Sequence, residues 1–524
     1  MLLERSIGIT RGRVRERAIA VDRLVPFAAA LVALAVHLAG NPHYGFFRDE
    51  LYFIVCGRHP AIGYVDQPPL VPLLAAFSQS FGLSLFALRA VPAVFSALSV
   101  YVACRFAVEL GGGIFAQVLA ALVTLLSPEL VTAGLRLSPD TLQVWLWPLT
   151  ALYVLRIVKG ADPRLWLLVG ALTGIAGMAK YSVAFFGVSL IAGLLLTPQR
   201  RHLANRWFAG GVAIALAIVA PNAWWQVQHG LPMLQLLEND YGKYLMVNPP
   251  LPIQQIIVMH PLLSAVWVTG LIYLLARREL RWLGLTYVVL IAIMTALKAK
   301  NYYPAPIYPY LIAAGAVPIE QWASRRPFRR LAIPALLLLV SLPALPFVLP
   351  VLPLHSEITY QLAVTRTAHI RFHVMHVKSD ATPIQYFADM TGWPELTQTV
   401  AQVYDDLPDS DRTQAAIFAS NFGEASAIDL YGRAYGLPPA LSGNNNYWIW
   451  GPRGYSGNVM IDVNGDLKAD RQRFREAKVV TVFRNPYAMP YEDNLPIIVC
   501  RGIKKPLAEI WPSLRDYSYA FKAL

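Results

Sequence analysis

The chain has 524 residues; 56% are hydrophobic, only 15% are charged, and the formal net charge is +13. Soluble domains carry about 25% charged residues and fewer apolar ones, so a water-soluble protein of this size is excluded, and so is intrinsic disorder. Three cysteines and the lack of a glycine period exclude a disulfide scaffold and a collagen-like chain.

What remains is a polytopic α-helical membrane protein. The excess positive charge sits in short clusters between apolar runs: Arg11 to Arg17, Arg200 and Arg201, Arg277 and Arg278, and Arg325 to Arg330. That is the pattern of cytoplasmic loops, not of a nucleic-acid surface.

A span needs about 20 apolar residues. Eleven segments are predicted, at about 24–40, 84–108, 114–130, 141–158, 164–179, 182–196, 208–227, 255–276, 282–297, 304–320 and 331–352. The first is an uncleaved signal anchor, because Asn41-Pro42-His43-Tyr44 follows it in place of a small-residue cleavage site. Residues 1–23 form a basic cytoplasmic N-terminus and 24–354 the transmembrane part. The outer loop 41–83 carries two short apolar stretches, about 50–59 and 69–82, that suit interfacial helices.

After residue 355 the polarity becomes mixed, which predicts an extracytoplasmic α/β domain to residue 524. Strands are expected at Ala415–Ser420, Val459–Val463, Val479–Phe483 and Pro496–Cys500, with helices at Pro394–Leu407 and Ala425–Tyr435. Cys56 and Cys500 both fall on the outer, oxidising side, where a bridge can form.

The residues that carry chemistry lie on the outer side. Arg48-Asp49-Glu50 directly follows the first span, and Asp66 precedes Gln67-Pro68-Pro69. A carboxylate beside a reacting hydroxyl accepts its proton, and a second one orients the first or holds a divalent cation. Asp140, after Ser138-Pro139, either caps the helix that follows or adds a fourth carboxylate. Lys180 breaks the positive-inside trend; it either snorkels to the interface or serves as the counter-charge of a lipid phosphate. Lys298 and Lys300, followed by Tyr302 and Tyr303, break it again and ask for an anionic partner such as a phosphodiester. The tyrosines also suit an interfacial belt.

In the tail, Asn421 and Glu424 bracket a strand-to-helix turn of the kind that binds ligands in α/β sheets. Asn444 and Tyr447 either bind sugar or pack onto the membrane part. Asp409-Ser410-Asp411 reads as a solvated turn, and Gly111-Gly112-Gly113 lacks the Lys-Ser/Thr of a phosphate loop.

Taken together, Arg48-Asp49-Glu50-Leu51-Tyr52, Asp66-Gln67-Pro68-Pro69-Leu70, Ser138-Pro139-Asp140-Thr141 and Asn301-Tyr302-Tyr303-Pro304 resemble the GT-C glycosyltransferases. More narrowly they resemble bacterial members of the protein-mannosyltransferase/aminoarabinose-transferase group, glycosyltransferase family 39. The resemblance covers roughly residues 24–350. It implies a bacterial inner-membrane enzyme that transfers a sugar, with inversion, from a polyprenyl-phosphate donor to a hydroxyl of a lipid, polysaccharide or protein acceptor. It places Asp49 as the general base or the carboxylate that orients the acceptor, Asp140 as another active-site carboxylate, and Asp66 as a metal ligand of some members; Glu50, from its place beside Asp49, is read as a further catalytic carboxylate. By the same resemblance Lys300 and Tyr302 would face the donor phosphate; the residue pattern itself adds Arg48, Lys180, Lys298 and Tyr303 to that site, and Asn421, Glu424, Asn444 and Tyr447 to a tail or acceptor site. No nucleotide cofactor and no nucleic acid is implied. Gln67 stands where the aminoarabinose transferases commonly carry Lys, which removes a phosphate counter-charge. A flippase for an anionic lipid-linked glycan would instead show midspan charges and inverted halves, and neither is visible. A non-catalytic assembly factor would tolerate loss of Asp49.

Overall fold

A computed structural model describes residues 24–41, 43–240, 249–368 and 384–519. The arginine-rich N-terminus and part of the 228–254 loop lie outside them. The chain folds as two compact units: residues 1–41, 86–221 and 245–349 form the first, and 42–85, 222–244 and 350–524 the second.

The first unit is helical. Among the described residues, Leu85–Glu109, Asp140–Val158, Arg206–Gln228 and Arg329–Phe347 are each long and apolar enough to cross a membrane. Two bent pairs, Ile114–Leu126 with Pro128–Leu135 (68°) and Leu251–Val258 with Pro261–Ala276 (119°), raise the count to six if each is one span. Shorter apolar helices cover Leu24–Gly40, Leu165–Gly177, Val183–Leu195 and Arg281–Ala296. All eleven predicted segments are therefore helical, although fewer meet the length criterion. Proline explains much of the difference, because it removes a backbone donor and breaks the turn. Pro128 and Pro261 stand at the two bends.

Helices in lipid associate through close backbone approach at small residues. Gly270 of Pro261–Ala276 and Gly315 of Tyr308–Ala323 meet in this way; a methyl group on Gly315 would overlap the Val266 carbonyl oxygen, and one on Gly270 that of Leu311. Gly315→Ala is expected to destabilise the protein by about 1–3 kcal/mol through overpacking. Thermal unfolding of the purified protein in detergent measures this.

The second unit contains a four-stranded mixed sheet. Its strands are β1 (Ala415–Ala419), β2 (Val459–Val463), β3 (Phe474–Phe483) and β4 (Leu495–Ile503), in the order β1-β2-β4-β3. β1 and β2 are parallel, while β4 runs antiparallel to both its neighbours. Ala416, Met460, Phe474, Ile498, Cys500 and Trp511 form the core on this sheet. The predicted strands and helices of the tail all form, with β3 and β4 longer than expected. Cys56, Cys104 and Cys500 are buried free thiols, so the bridge envisaged between Cys56 and Cys500 is absent. Cys500 instead fills the sheet core opposite Met460.

The outer-loop residues fold within this second unit. Arg48–Arg58 and Leu70–Ser78 are helices, and Val65 N–H donates to Asn446 Oδ1 at 2.7 Å.

Candidate active site

In the second unit the acidic motif opens the Arg48–Arg58 helix. Glu50 is fully buried and its carboxylate accepts the Phe47 N–H at 2.9 Å, satisfying one of the orphan donors of the first turn. Arg48 N–H donates to the Asp389 carbonyl at 3.0 Å. Glu50 thus starts the helix. Asp49 is the accessible member of the motif: its side chain is 36% exposed, against 0% for Glu50 and 8% for Asp66.

Arg48 lies 3.5 Å from Asp49 through Nε and is itself buried. Its guanidinium stacks at 5.1 Å on Phe422 and at 5.8 Å on Tyr491. Tyr491 donates to both oxygens of Asp389, at 3.0 and 3.2 Å. Burial works against the charge on Arg48, but Asp389, Tyr491, Asp49 and Glu492 outweigh it and raise the pKa above the ordinary arginine value. Glycine is required at 423 because the Arg48 stem occupies the space of a Cβ there. Arg48, expected at the donor phosphate, is thus packed against tail residues beside Asp49.

Asp66 sits in a hydrogen-bond node. Its two oxygens accept the hydroxyls of Tyr52 at 3.3 Å and Tyr519 at 3.2 Å. Burial pushes its pKa up to about 7, with Asp49 adding to the rise. This donor set does not fit the divalent cation that the resemblance implied: phenol hydroxyls occupy both oxygens. Among the described residues no group of three or more His, Cys, Asp or Glu gathers to hold a metal. Gln67 is 1% exposed, and neither polar atom of its amide has a hydrogen-bond partner among the described residues.

The raised pKa has a consequence for stability. From about pH 4 to pH 7 the folded state binds more protons at Asp66 than the unfolded chain, whose carboxyl titrates near 3.8. The stabilising contribution is therefore present at acid pH and lost as pH rises through about 7. Asp66→Asn is expected to flatten part of this decline, seen as a smaller drop in Tm between those limits. Glu424 and Glu357, also raised to about 7 by burial, and Asp389, Asp429 and Glu492, raised by burial as well, keep the remainder.

The tail residues singled out in the sequence are internal ties. Asn421 Oδ1 caps the Phe422–Tyr431 helix, accepting from Gly423 N and Glu424 N at 2.8 and 3.0 Å, while its amide donates to Glu492. Glu424 is fully buried and accepts from Ser420 N and Asn464. Asn444 holds the carbonyls of Asp516 and Ser518, and Tyr447 donates to Asp429 at 3.0 Å. Asp411 pairs with Arg501 at 2.8 Å.

In the first unit, Lys180 Nζ sits 2.7 Å from both oxygens of Asp140. The two side chains are only 15% and 18% exposed. The ammonium also lies over the rings of Tyr303, at 4.2 Å, and Tyr302, at 5.1 Å. Four residues chosen separately from the sequence are thus in one cluster. Lys298 has a positive φ of 52°, in the turn that carries Lys300. This turn is held by Gln255, whose amide donates to the Asn301 carbonyl at 2.8 Å and accepts from Tyr308 at 2.9 Å.

Sequence reasoning missed Gln255, Asp389, Tyr491 and Tyr519. The signal for Gln255 was the Gln254-Gln255 pair in an otherwise apolar helix. The other three lie far along the chain from the residues they hold.

Residues 66–225 match the family model described as dolichyl-phosphate-mannose-protein mannosyltransferase. The fold matches ArnT from Cupriavidus metallidurans in two crystal structures. For the apo form the TM-score is 0.60 at 15% identity, covering 92% of this chain and 98% of ArnT. For the form bound to undecaprenyl phosphate it is 0.58 at 14% identity, covering 91% and 97%. Lipid A galacturonosyltransferase RgtD from Rhizobium johnstonii is 25% identical over 187 residues. That match spans 35% of this chain and 39% of the relative's length. The likeness to this family, read above from a handful of motifs, is borne out, and the chain is an integral multi-pass membrane protein with the ArnT fold.

Proposed function

We propose that this protein is an inverting glycosyltransferase that takes its sugar from a polyprenyl-phosphate donor. The observation that carries this reading is Asp49, the accessible carboxylate of its motif, held by Arg48 at the start of a helix. Asp49 takes the proton of an acceptor hydroxyl, and the oxygen attacks the anomeric carbon. The bond from that carbon to the phosphate oxygen breaks, and polyprenyl phosphate leaves with the electron pair. Lys180, Lys298 and Lys300 supply positive charge for the leaving phosphate, and Tyr302 and Tyr303 flank Lys180. Gln67 offers an uncharged amide to a ligand oxygen.

The undecaprenyl phosphate carried by ArnT supports a polyprenyl-phosphate donor, and the relative's substrate supports a lipid A-type acceptor. We infer eleven spans, with the N-terminus in the cytoplasm and the C-terminal domain, residues 355–524, outside a bacterial inner membrane. The arginine clusters support that orientation.

Reconstituted protein incubated with a panel of undecaprenyl-phosphate sugars and lipid A tests the reading. Transfer of one sugar is expected. No transfer with lipid A, polysaccharide or protein acceptors, alongside movement of a lipid-linked glycan across the bilayer, would establish the flippase instead.

A further inference from the structure

The end of the Arg48–Arg58 helix and the Phe422–Tyr431 helix, with the turn after it, line a cavity of about 140 Å³ in the second unit. Three guanidinium groups border it: Arg58, Arg433 and Arg453. One carboxylate, Asp429, stands among them, and it is already engaged. It accepts the Ala440 N–H at 2.7 Å and the Tyr447 hydroxyl at 3.0 Å. Arg453 reaches it only at 3.8 Å, and the buried Nη2 of Arg453 makes no hydrogen bond among the described residues. Burial and the neighbouring charge of Arg433 both lower the pKa of Arg58. The internal ties of the tail therefore do not account for this collection of like charge.

Cations gathered in a concave site focus a field that draws in anions. The guanidinium fork matches the oxygens of a phosphate or carboxylate in two-point contact. The lining also includes the apolar Val55, Leu437 and Pro438, which suit the C–H face of a sugar ring. We infer that this cavity binds an anionic sugar, with its phosphate among the arginines and its ring on the apolar lining. Arg58 lies nine residues beyond Asp49 on one helix, about 14 Å along its axis. A role as the seat of the acceptor's anionic group rests on the transferase reading; the binding itself does not.

The test uses the full chain in detergent with glucosamine 1-phosphate as the probe. Glucosamine, inorganic phosphate and a lipid-borne phosphodisaccharide form the comparison arms. Saturable binding of glucosamine 1-phosphate, tighter than that of glucosamine, is expected. Arg433→Gln and Arg58→Gln should each weaken it about tenfold or more. Stronger binding of the lipid-borne form assigns the ligand to a glycolipid head group, and stronger binding of the soluble form to a free sugar phosphate. Unchanged affinity in both variants, or no saturable binding to the wild type, overturns the site. If a variant fails to fold, phenylglyoxal labelling of wild-type Arg58 and Arg433 decides: protection by the probe supports the site, and equal labelling refutes it. Binding without sugar transfer would leave this site standing and remove the transferase reading. Transfer without binding would do the reverse.

Discussion

Asp49→Asn is expected to lower the rate of sugar transfer by about 10³-fold, within the range for loss of a positioned general base. The substitution keeps the shape of the side chain and removes its ability to take a proton. Glu50 still accepts the Phe47 N–H, so the helix start survives. Arg48 keeps its place through Asp389, Phe422 and Tyr491. The loss should therefore appear in kcat, with the thermal transition and donor binding close to wild type. Asp49→Glu should retain partial activity, because the base is present but displaced. A well-folded Asn variant with undiminished turnover would leave Asp49 without its assigned role.

The second large effect concerns the Asp140–Lys180 pair. Lys180→Met leaves the Asp140 carboxylate mostly enclosed and without its ammonium partner. Breaking such a pair from one side costs about 3 kcal/mol or more, because the orphaned charge stays out of water. Asp140→Asn together with Lys180→Met removes both charges and should recover most of that loss. Transfer should stay low in the double variant, since it still lacks the cation assigned to the donor phosphate. Stability measured by thermal unfolding, and activity measured separately, distinguish the roles. Recovery of both together would make the pair purely structural.

The sequence carried the helical segments of the first unit well, because hydropathy is a property of contiguous residues. It carried the tail strands for the same reason: Ala415–Ala419 and Val459–Val463 are short apolar runs bounded by turn residues. It also brought out Asp140, Lys180, Tyr302 and Tyr303, each as a local departure from its surroundings. Their assembly was not readable, because Lys180 and Tyr303 lie more than a hundred residues apart and meet only through the fold. The surroundings of Glu50 and Arg48 were not readable for a different reason. A charged residue in a loop motif looks the same in sequence whether it faces a substrate or is buried on Phe422 and the Phe47 N–H. Asp66 is the clearest such case. Its metal reading came from the resemblance, and the hydroxyl of Tyr519, over 450 positions later, takes one of the oxygens a cation would need.

The most direct test is a stoichiometric one in proteoliposomes that hold wild-type protein or Asp49→Asn. Undecaprenyl phosphate released and glycosylated acceptor formed are both quantified from the same undecaprenyl-phosphate sugar. The wild type should produce the two in equal amounts, and the variant should produce almost none of either. Equal product from both proteins, or acceptor glycosylation with no release of undecaprenyl phosphate, would contradict transfer from a polyprenyl phosphate with Asp49 as the base.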